Sequence, residues 1–238
     1  IPNEKRAKRY KCRQAMETPI LMKGTEKAMK VIYVSDTHGG HDFVKVPEGD
    51  ILIHAGDFSG MGREQDVRSF AEWIRKLPHK HKIVIAGNHD VSFARMPELA
   101  RTWLGDSCTY LENSGVEIEG LKIWGSPHHS FFDNSGTWVF GVRAGQEAEE
   151  AWAKIPEGLD ILLTHGGPAG ILDYDSSGNR TGCNQLLNAV KKVKPKVHVF
   201  GHIHEQGGKS EKVGETLFIN AAVLDENYRL VRGAMVIE

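Results

Sequence analysis

Asp36 with His38, Asp57, Asn88 with His89, His165, and His202 with His204 stand at five widely separated points of the 238-residue chain. Each group closes a short apolar run. Carboxylates, imidazoles and one amide oxygen make a mixed hard and borderline donor set with no thiolate, which suits Mn, Fe, Zn, Co or Ni better than Ca, Mg or Cu(I). A single zinc takes about three or four protein ligands. This many converging groups would overfill one site, whereas two ions about 3.5–4 Å apart would use them. Two ions at that spacing are the arrangement of two-metal hydrolytic sites. Gly87-Asn88 alone reads equally well as a turn with His89 in solvent. The repetition of one construction, an apolar strand ending in metal-capable side chains, is what argues for a site.

The elements that must deliver these residues are legible from hydrophobic period. Val31–Val34, Ile51–Ile53 and Ile83–Ile85 are continuous apolar runs of strand length, the pattern of strands covered on both faces, and Leu159–Thr164, with Ile161, Leu162 and Leu163, and Val197–Phe200 read as two more strands. Gly87 is read as permitting a backbone conformation closed to other residues. Between the second and third runs, Val67, Phe70, Ala71, Ile74 and Leu77 recur at helical spacing, which predicts a crossover helix over 63–77 ended by Pro78. Strand, helix and strand of these lengths make a βαβ unit with parallel strands. In open α/β sheets the carboxyl edge of such strands is where ligands bind.

Further helices are predicted over 96–104 and 144–155, and one whose buried face is Leu186, Leu187, Val190 and Val193, with Thr181 as its cap. Thr109–Leu111, Val116–Ile118 and Leu121–Trp124 read as an antiparallel meander in a second sheet, with 209–215 as a turn, and Leu217–Asn220 and Leu230–Ile237 closing that sheet. The stretch 125–141 is a long connection rich in rings, namely His128, His129, Phe131, Phe132, Trp138 and Phe140. It is either a lid that stacks on substrate or a cover for the core.

Length fits one large domain. Residues 1–29 show no sustained apolar period and are taken as an N-terminal extension, leaving 30–238 as the domain. Lys5, Arg6, Lys8, Arg9, Lys11 and Arg13 make the extension basic. They have the charge to attract nucleic acid, although a solvated tail is the favoured reading. Cys12, Cys108 and Cys183 are widely spaced, consistent with reduced thiols and a cytoplasmic protein. No apolar run approaches the roughly 20 residues that span a bilayer.

In order, Asp-x-His, Gly-Asp, Gly-Asn-His-Asp, a strand-end His and Gly-His-x-His are similar to the motifs of the calcineurin-like metallophosphoesterase superfamily. The segments around 51–58, 82–89, 125–127, 161–167 and 198–205 resemble its small metallophosphoesterase-domain-containing branch, which is like the class III cyclic-nucleotide phosphodiesterases. The resemblance implies an α/β fold, a four-layer α/β/β/α sandwich of two packed mixed sheets with a dimetal site at the strand C-terminal edge. It implies that Asp36, His38, Asp57 and His204 hold one metal and Asp57, Asn88, His165 and His202 the other, with Asp57 bridging. The cofactors expected are two divalent transition metals, Mn foremost, with a hydroxide between them as nucleophile. His89 then stays free of metal as the general acid. Asp90 and Asn220 are candidates for supporting roles, His41 for substrate contact, and His54 and His198 for the core, while His79 and His81 are read as solvated.

Where related protein phosphatases continue Asp-Arg-Gly after the Gly-Asp, this chain has Phe58-Ser59-Gly60. A phosphomonoester dianion gains most from bidentate arginine contacts, so their absence favours a singly charged diester gripped by aromatic stacking. The expected substrate is a cyclic or small nucleotide phosphodiester, bound by His128, His129, Phe131, Phe132 and Trp138. A nuclease or a broad phosphomonoesterase of the same chemistry is the alternative among enzymes, and a metal-binding scaffold the alternative outside them.

Overall fold

The computed structural model describes residues 29–131 and 138–237. Strand β1 (Val31–Val34) shows why the chain folds in layers. Successive strand residues point to opposite faces. Val31 and Tyr33 lie in one core cluster, and Ile32 and Val34 in another. A strand that is apolar on both sides must be covered twice. The first core lies between a sheet and helices, uniting Ile32, Leu52 and Val84 with Phe70, Ile74 and Trp103. The second joins sheet to sheet, packing Tyr33, Ile53 and Ile83 against Ile123, Leu163, Val199 and Ile219. The third packs Leu162, Phe200 and Phe218 under Trp152, Leu186 and Val190 of the opposite helices. Three such spaces separate four layers, so the α/β/β/α sandwich is the fold.

In chain order the elements are β1, β2 (Ile51–His54), α1 (Glu64–Lys76), β3 (His81–Val84), α2 (Val91–Arg95), α3 (Pro97–Leu104), β4 (Thr109–Tyr110), β5 (Ser114–Ile118), β6 (Leu121–Ser126), β7 (His129–Ser130) and β8 (Gly141–Val142). They continue through α4 (Gln146–Trp152), β9 (Ile161–Thr164), α5 (Asn184–Val193), β10 (Val197–Phe200), β11 (Lys209–Val213), β12 (Thr216–Asn220) and β13 (Met235–Ile237). The first sheet runs β13-β1-β2-β3-β4 and the second β11-β12-β10-β9-β6-β5. In the first, β1, β2, β3 and β4 are parallel and only β13 is antiparallel. In the second, β12, β10, β9 and β6 are parallel, with antiparallel β11 and β5 at the edges. The parallel strands therefore present their C-terminal ends at one edge of each sheet.

Several sequence expectations are corrected. Residues 109–110 pair with β3 in the first sheet, and 235–237 pair with β1, so neither segment belongs to the second sheet. Two- and three-residue strands carry no period from which a sheet could be read. Residues 209–213 form an edge strand rather than a turn, and all five are exposed, so no buried face marks them. Cys183, not Thr181, caps α5, its sulfur accepting the Leu186 N–H at 3.5 Å. His79 is buried rather than solvated, with Nε2 meeting the Pro47 carbonyl at 3.0 Å. The five-residue α2 is too short to show a period in the sequence. Except for Met29, the expected N-terminal extension lies outside the described residues.

Candidate metal centre

The loops that leave β1, β2 and β10 turn sharply. Asp36, His38, Asp57 and His202 have φ of 55°, 43°, 52° and 67°, a left-handed conformation that residues with a Cβ seldom adopt. Such strain persists only where surrounding contacts over-determine it. Here the backbone N–H of Asp36 donates to Gly56 O and that of His38 to Asp57 O, each at 3.0 Å. The His202 N–H donates to both carboxylate oxygens of Asp36, at 3.1 and 3.0 Å, tying the two sheets together across the site. Gly87 serves for want of a side chain rather than for its φ. A Cβ there would overlap Asp57 Oδ1 and lie 2.6 Å from the His165 ring.

Seven side chains from both sheets converge. His204 Nε2 lies 3.3 Å and His38 Nε2 3.9 Å from Asp36 Oδ1. Asp57 Oδ2 sits between two imidazoles, 3.6 Å from His38 Nε2 and 3.3 Å from His165 Nε2. Asn88 Oδ1 is 2.9 Å from His165 Nε2, and the His38 and His204 Nε2 atoms are 3.3 Å apart. The potential ligand atoms of Asp36, His38 and His204 lie within 4.8 Å of one another, as do those of Asp57, His165 and His202. His38 also groups with Asp57 and His89.

The outer nitrogens show what this cluster needs. His165 Nδ1 faces Ala55 O at 2.9 Å, and His204 Nδ1 faces Asp225 O at 3.0 Å. A carbonyl can only accept, so both Nδ1 atoms carry a proton, and whenever these rings are neutral their Nε2 atoms offer lone pairs. Those lone pairs point at carboxylate and amide oxygens, which also only accept. Such a buried set of acceptors is unfavourable until a cation enters, either a proton on the imidazoles or a metal ion. The residues therefore fit divalent metal ions, with ring orientation fixed from behind by carbonyls as in known metal sites.

Without a metal ion the cluster balances its charge with protons, which a bound metal would displace. Burial opposes charge on His165, yet Asp57 beside it raises the imidazole to about 9. Asp36 raises His204 in the same way against burial. Despite their burial, Asp57 and Asp36 are held well below the usual carboxylate range, by His165 and His204 respectively. His38 shows the opposite balance, burial lowering it to about 4 against the pull of Asp57 and Asp36. Burial also lowers His202, with His129 and His165 adding to the effect.

Behind the ligand cluster, Asp90 accepts four hydrogen bonds. Its Oδ1 takes Ser59 N–H at 2.9 Å and Ser59 Oγ–H at 2.6 Å, and its Oδ2 takes Gly87 N–H at 2.8 Å and Phe58 N–H at 3.3 Å. It thereby clamps the loop after β3 to the loop after β2. Burial, with Asp57 adding, raises Asp90 to about 7. Asn220 donates from Nδ2 to Ile203 O at 2.9 Å and accepts the Ala222 N–H at 3.1 Å, so it steadies the turn that presents His202 and His204. His54 and His198 are buried in their strands, paired through Nε2 with Thr37 and Thr164 at 3.2 and 2.8 Å.

A cleft of about 230 Å³ opens over Asp57, Asn88 and His202. His89, His129, Phe131 and Trp138 line it, and the Trp138 ring lies 4.1 Å from that of His89. His89 is held by its own N–H on Asp57 Oδ1 and by Nδ1 against Gly60 O, both at 2.8 Å. Other candidates stand elsewhere. His128 turns toward Ser126 Oγ at 2.8 Å and packs near Trp152. His41 is buried against α1, with Nε2 3.1 Å from Ser69 Oγ. Phe132 lies outside the described residues. Tyr228, which the sequence does not single out, packs edge-on against His38 and His204 with ring centres 4.9 and 5.1 Å away. Its only sequence signal is Asp225-x-Asn227, a turn pattern that says nothing of what the turn presents.

The fold and this cluster define a metallophosphoesterase. Residues 29–206 match the model of the calcineurin-like phosphoesterase family, and the chain belongs to that family. Human Metallophosphoesterase domain-containing protein 1 is 40% identical over 233 residues, covering 88% of this chain and 70% of its own. The UPF0046 protein C25E10.12 of Caenorhabditis elegans is 40% identical over 235 residues, covering 90% and 80%. The crystal structure of TT1561 from Thermus thermophilus shares the fold, with a TM-score of 0.56 at 15% identity over 81% of this chain and 88% of that one. Membership carries a coarse activity with it, metal-assisted hydrolysis of phosphoric esters. Among the described residues no helix is long and apolar enough to cross a membrane.

Proposed function

We propose that this chain is a dinuclear-metal phosphodiesterase for a small or cyclic nucleotide. The observation that carries the metal part is the convergence of acceptors. Asp36, His38 and His204 would hold one ion, and Asn88, His165 and His202 the other. Asp57 is shared, its Oδ2 lying between His38 and His165. When bound, the ions supply Lewis acidity toward phosphoryl oxygens and a water acidified to near neutrality; Mn suits this donor set.

The protein's own residues do the rest. His89 is oriented by Gly60 O through Nδ1, which leaves Nε2 as the nitrogen able to give a proton to the departing ester oxygen. Trp138 and Phe131 offer ring faces beside the cluster, where a base can stack for about 1–3 kcal/mol. Among the described residues no Lys or Arg lines the cleft. That supports a diester over a monoester dianion, and a small substrate over a nucleic-acid polymer, whose binding rests on phosphate contacts by cations.

Turnover of bis(4-nitrophenyl) phosphate and of 4-nitrophenyl phosphate by the Mn-loaded protein tests the assignment. The diester is expected to have the higher kcat/KM, and a cyclic nucleotide to compete with it. A strong preference for the monoester overturns the phosphodiesterase assignment while leaving metal-assisted hydrolysis standing.

A further inference from the structure

A second cleft, of about 500 Å³, opens on the other side of His89. It shares His89 and Tyr228 with the first and also reaches His38. Its remaining side chains are of a different kind, with Phe43, Leu224 and Leu230 making an apolar floor and rim. Phe43 is 81% exposed and Leu230 38%. A large apolar side chain left in solvent is common when isolated, but several on one concave surface mark a binding site.

Both sides of this cleft are anchored. Phe43 ends the 3-10 turn His41–Phe43, and the turn is pinned by His41, buried between Ser69, Phe70 and Trp73 of α1. Leu230 pairs with Leu224 across a tight hairpin whose tip presents Tyr228. Within that hairpin, Asp225 accepts the N–H groups of Asn227 and Arg229 at 2.9 Å, and Tyr228 is held at φ 57°. The carbonyl of the same Asp225 orients His204. The wall between the clefts is thus fastened to the metal cluster itself.

An acyclic diester has two separate organic arms, whereas a monoester or a cyclic diester has one, so a subsite for a leaving arm concerns acyclic diesters. We propose that the second cleft is the subsite for the leaving arm, that it selects an apolar or planar arm, and that Tyr228 separates this arm from the one retained. The proposal rests on the phosphodiesterase assignment and deepens it. In the reaction a water oxygen bonds to phosphorus while the phosphorus–oxygen bond to the arm in the second cleft breaks. The bonding pair leaves on that arm's oxygen, which takes a proton from His89, and the water's proton ultimately restores His89. The products are the free alcohol and the monoester of the retained arm.

The test uses two methyl phosphodiesters, one of 4-nitrophenol and one of a carboxylated 4-nitrophenol of similar acidity, on the Mn-loaded full chain. Phe43→Lys and Leu230→Lys place a cation at exposed positions of the second cleft. Each is expected to shift the ratio of kcat/KM values toward the carboxylated arm by about 10-fold, the scale on which one pocket contact discriminates. The ratio is taken within one protein, so losses of folded or metal-loaded enzyme cancel. A ratio within twofold of the parent in both variants overturns the subsite. Hydrolysis of 4-nitrophenyl phosphate without either diester overturns the phosphodiesterase assignment itself, a separate outcome visible in the parent protein.

Discussion

Asp90→Asn is the most searching single change, because it removes one charge and almost no volume. In the parent both oxygens of Asp90 are acceptors, and the Oδ2 side serves Gly87 N–H and Phe58 N–H. An asparagine that keeps its oxygen toward Ser59 turns an NH2 toward those two donors, leaving them and itself unpaired in a fully buried place. Leaving a buried donor unsatisfied costs about 1–3 kcal/mol. Two of them come to roughly 2–6 kcal/mol, with the lower half favoured because Phe58 N–H is already long at 3.3 Å. The reversed amide does no better, since Ser59 then faces the NH2. The damage is local to the two loops that present Asp57 and Asn88, so weaker metal binding should accompany the loss of stability. Urea unfolding of the metal-free protein measures the first, and calorimetric Mn titration the second. Asp90→Asn with parental stability and parental Mn affinity would refute the clamp.

His89→Ala is expected to lower kcat by about 10²–10⁴-fold, the usual worth of a general acid, with metal content unchanged by mass spectrometry; near-parental turnover sinks that role. Gly87→Ala should cost metal and activity together, since the new Cβ overlaps Asp57 Oδ1, whereas Gly158→Ala, at φ +76° with nothing within 4 Å, should cost some stability and no metal. Parental metal content in Gly87→Ala contradicts the steric account. Burial lowers His198 from its ordinary 6.5 to about 3, so the folded chain keeps it neutral while the unfolded chain takes a proton. Its contribution is therefore present above pH 6.5 and lost on acidification, by about 2 kcal/mol at pH 5. Metal-free His198→Gln should show a shallower fall in unfolding free energy between about pH 7 and pH 5, and an unaltered slope would remove His198 as a cause.

What can be read from sequence follows from burial. β1, β2, β3, β9 and β10 carry apolar runs that their covered faces demand, and the polar residues that follow them stay buried, Asp36, Asp57 and His165 among them, so their polarity is a signal of its own. The ligand cluster sits at those ends, which is why its members are visible one by one. Residues placed by hydrogen bonding rather than by burial leave no such trace. β11 is exposed along its length, and β4 and β13 are too short to show alternation. Asp90 reads locally as a turn residue, because Ser59 and Phe58, which donate to it, lie 31 and 32 residues away and Gly87 belongs to its own turn.

His41 and Tyr228 mark the same boundary from opposite sides. His41, next to Gly39-Gly40, reads toward substrate in the sequence, but its ring is drawn into the α1 packing by Phe70 and Trp73, and it contributes by fixing Phe43. Tyr228 lies far along the chain from most of the ligands, and a hairpin closed by Asp225 brings it over His38 and His204. A ligand's identity is thus written in the residue that binds, whereas the shape around it is written in turns whose distant partners no local spacing reveals. Chemistry in this family of strand tips should accordingly be easier to infer than specificity, and it is the Asp225 hairpin and the His41 turn, not the metal ligands, that a change of substrate would have to rebuild.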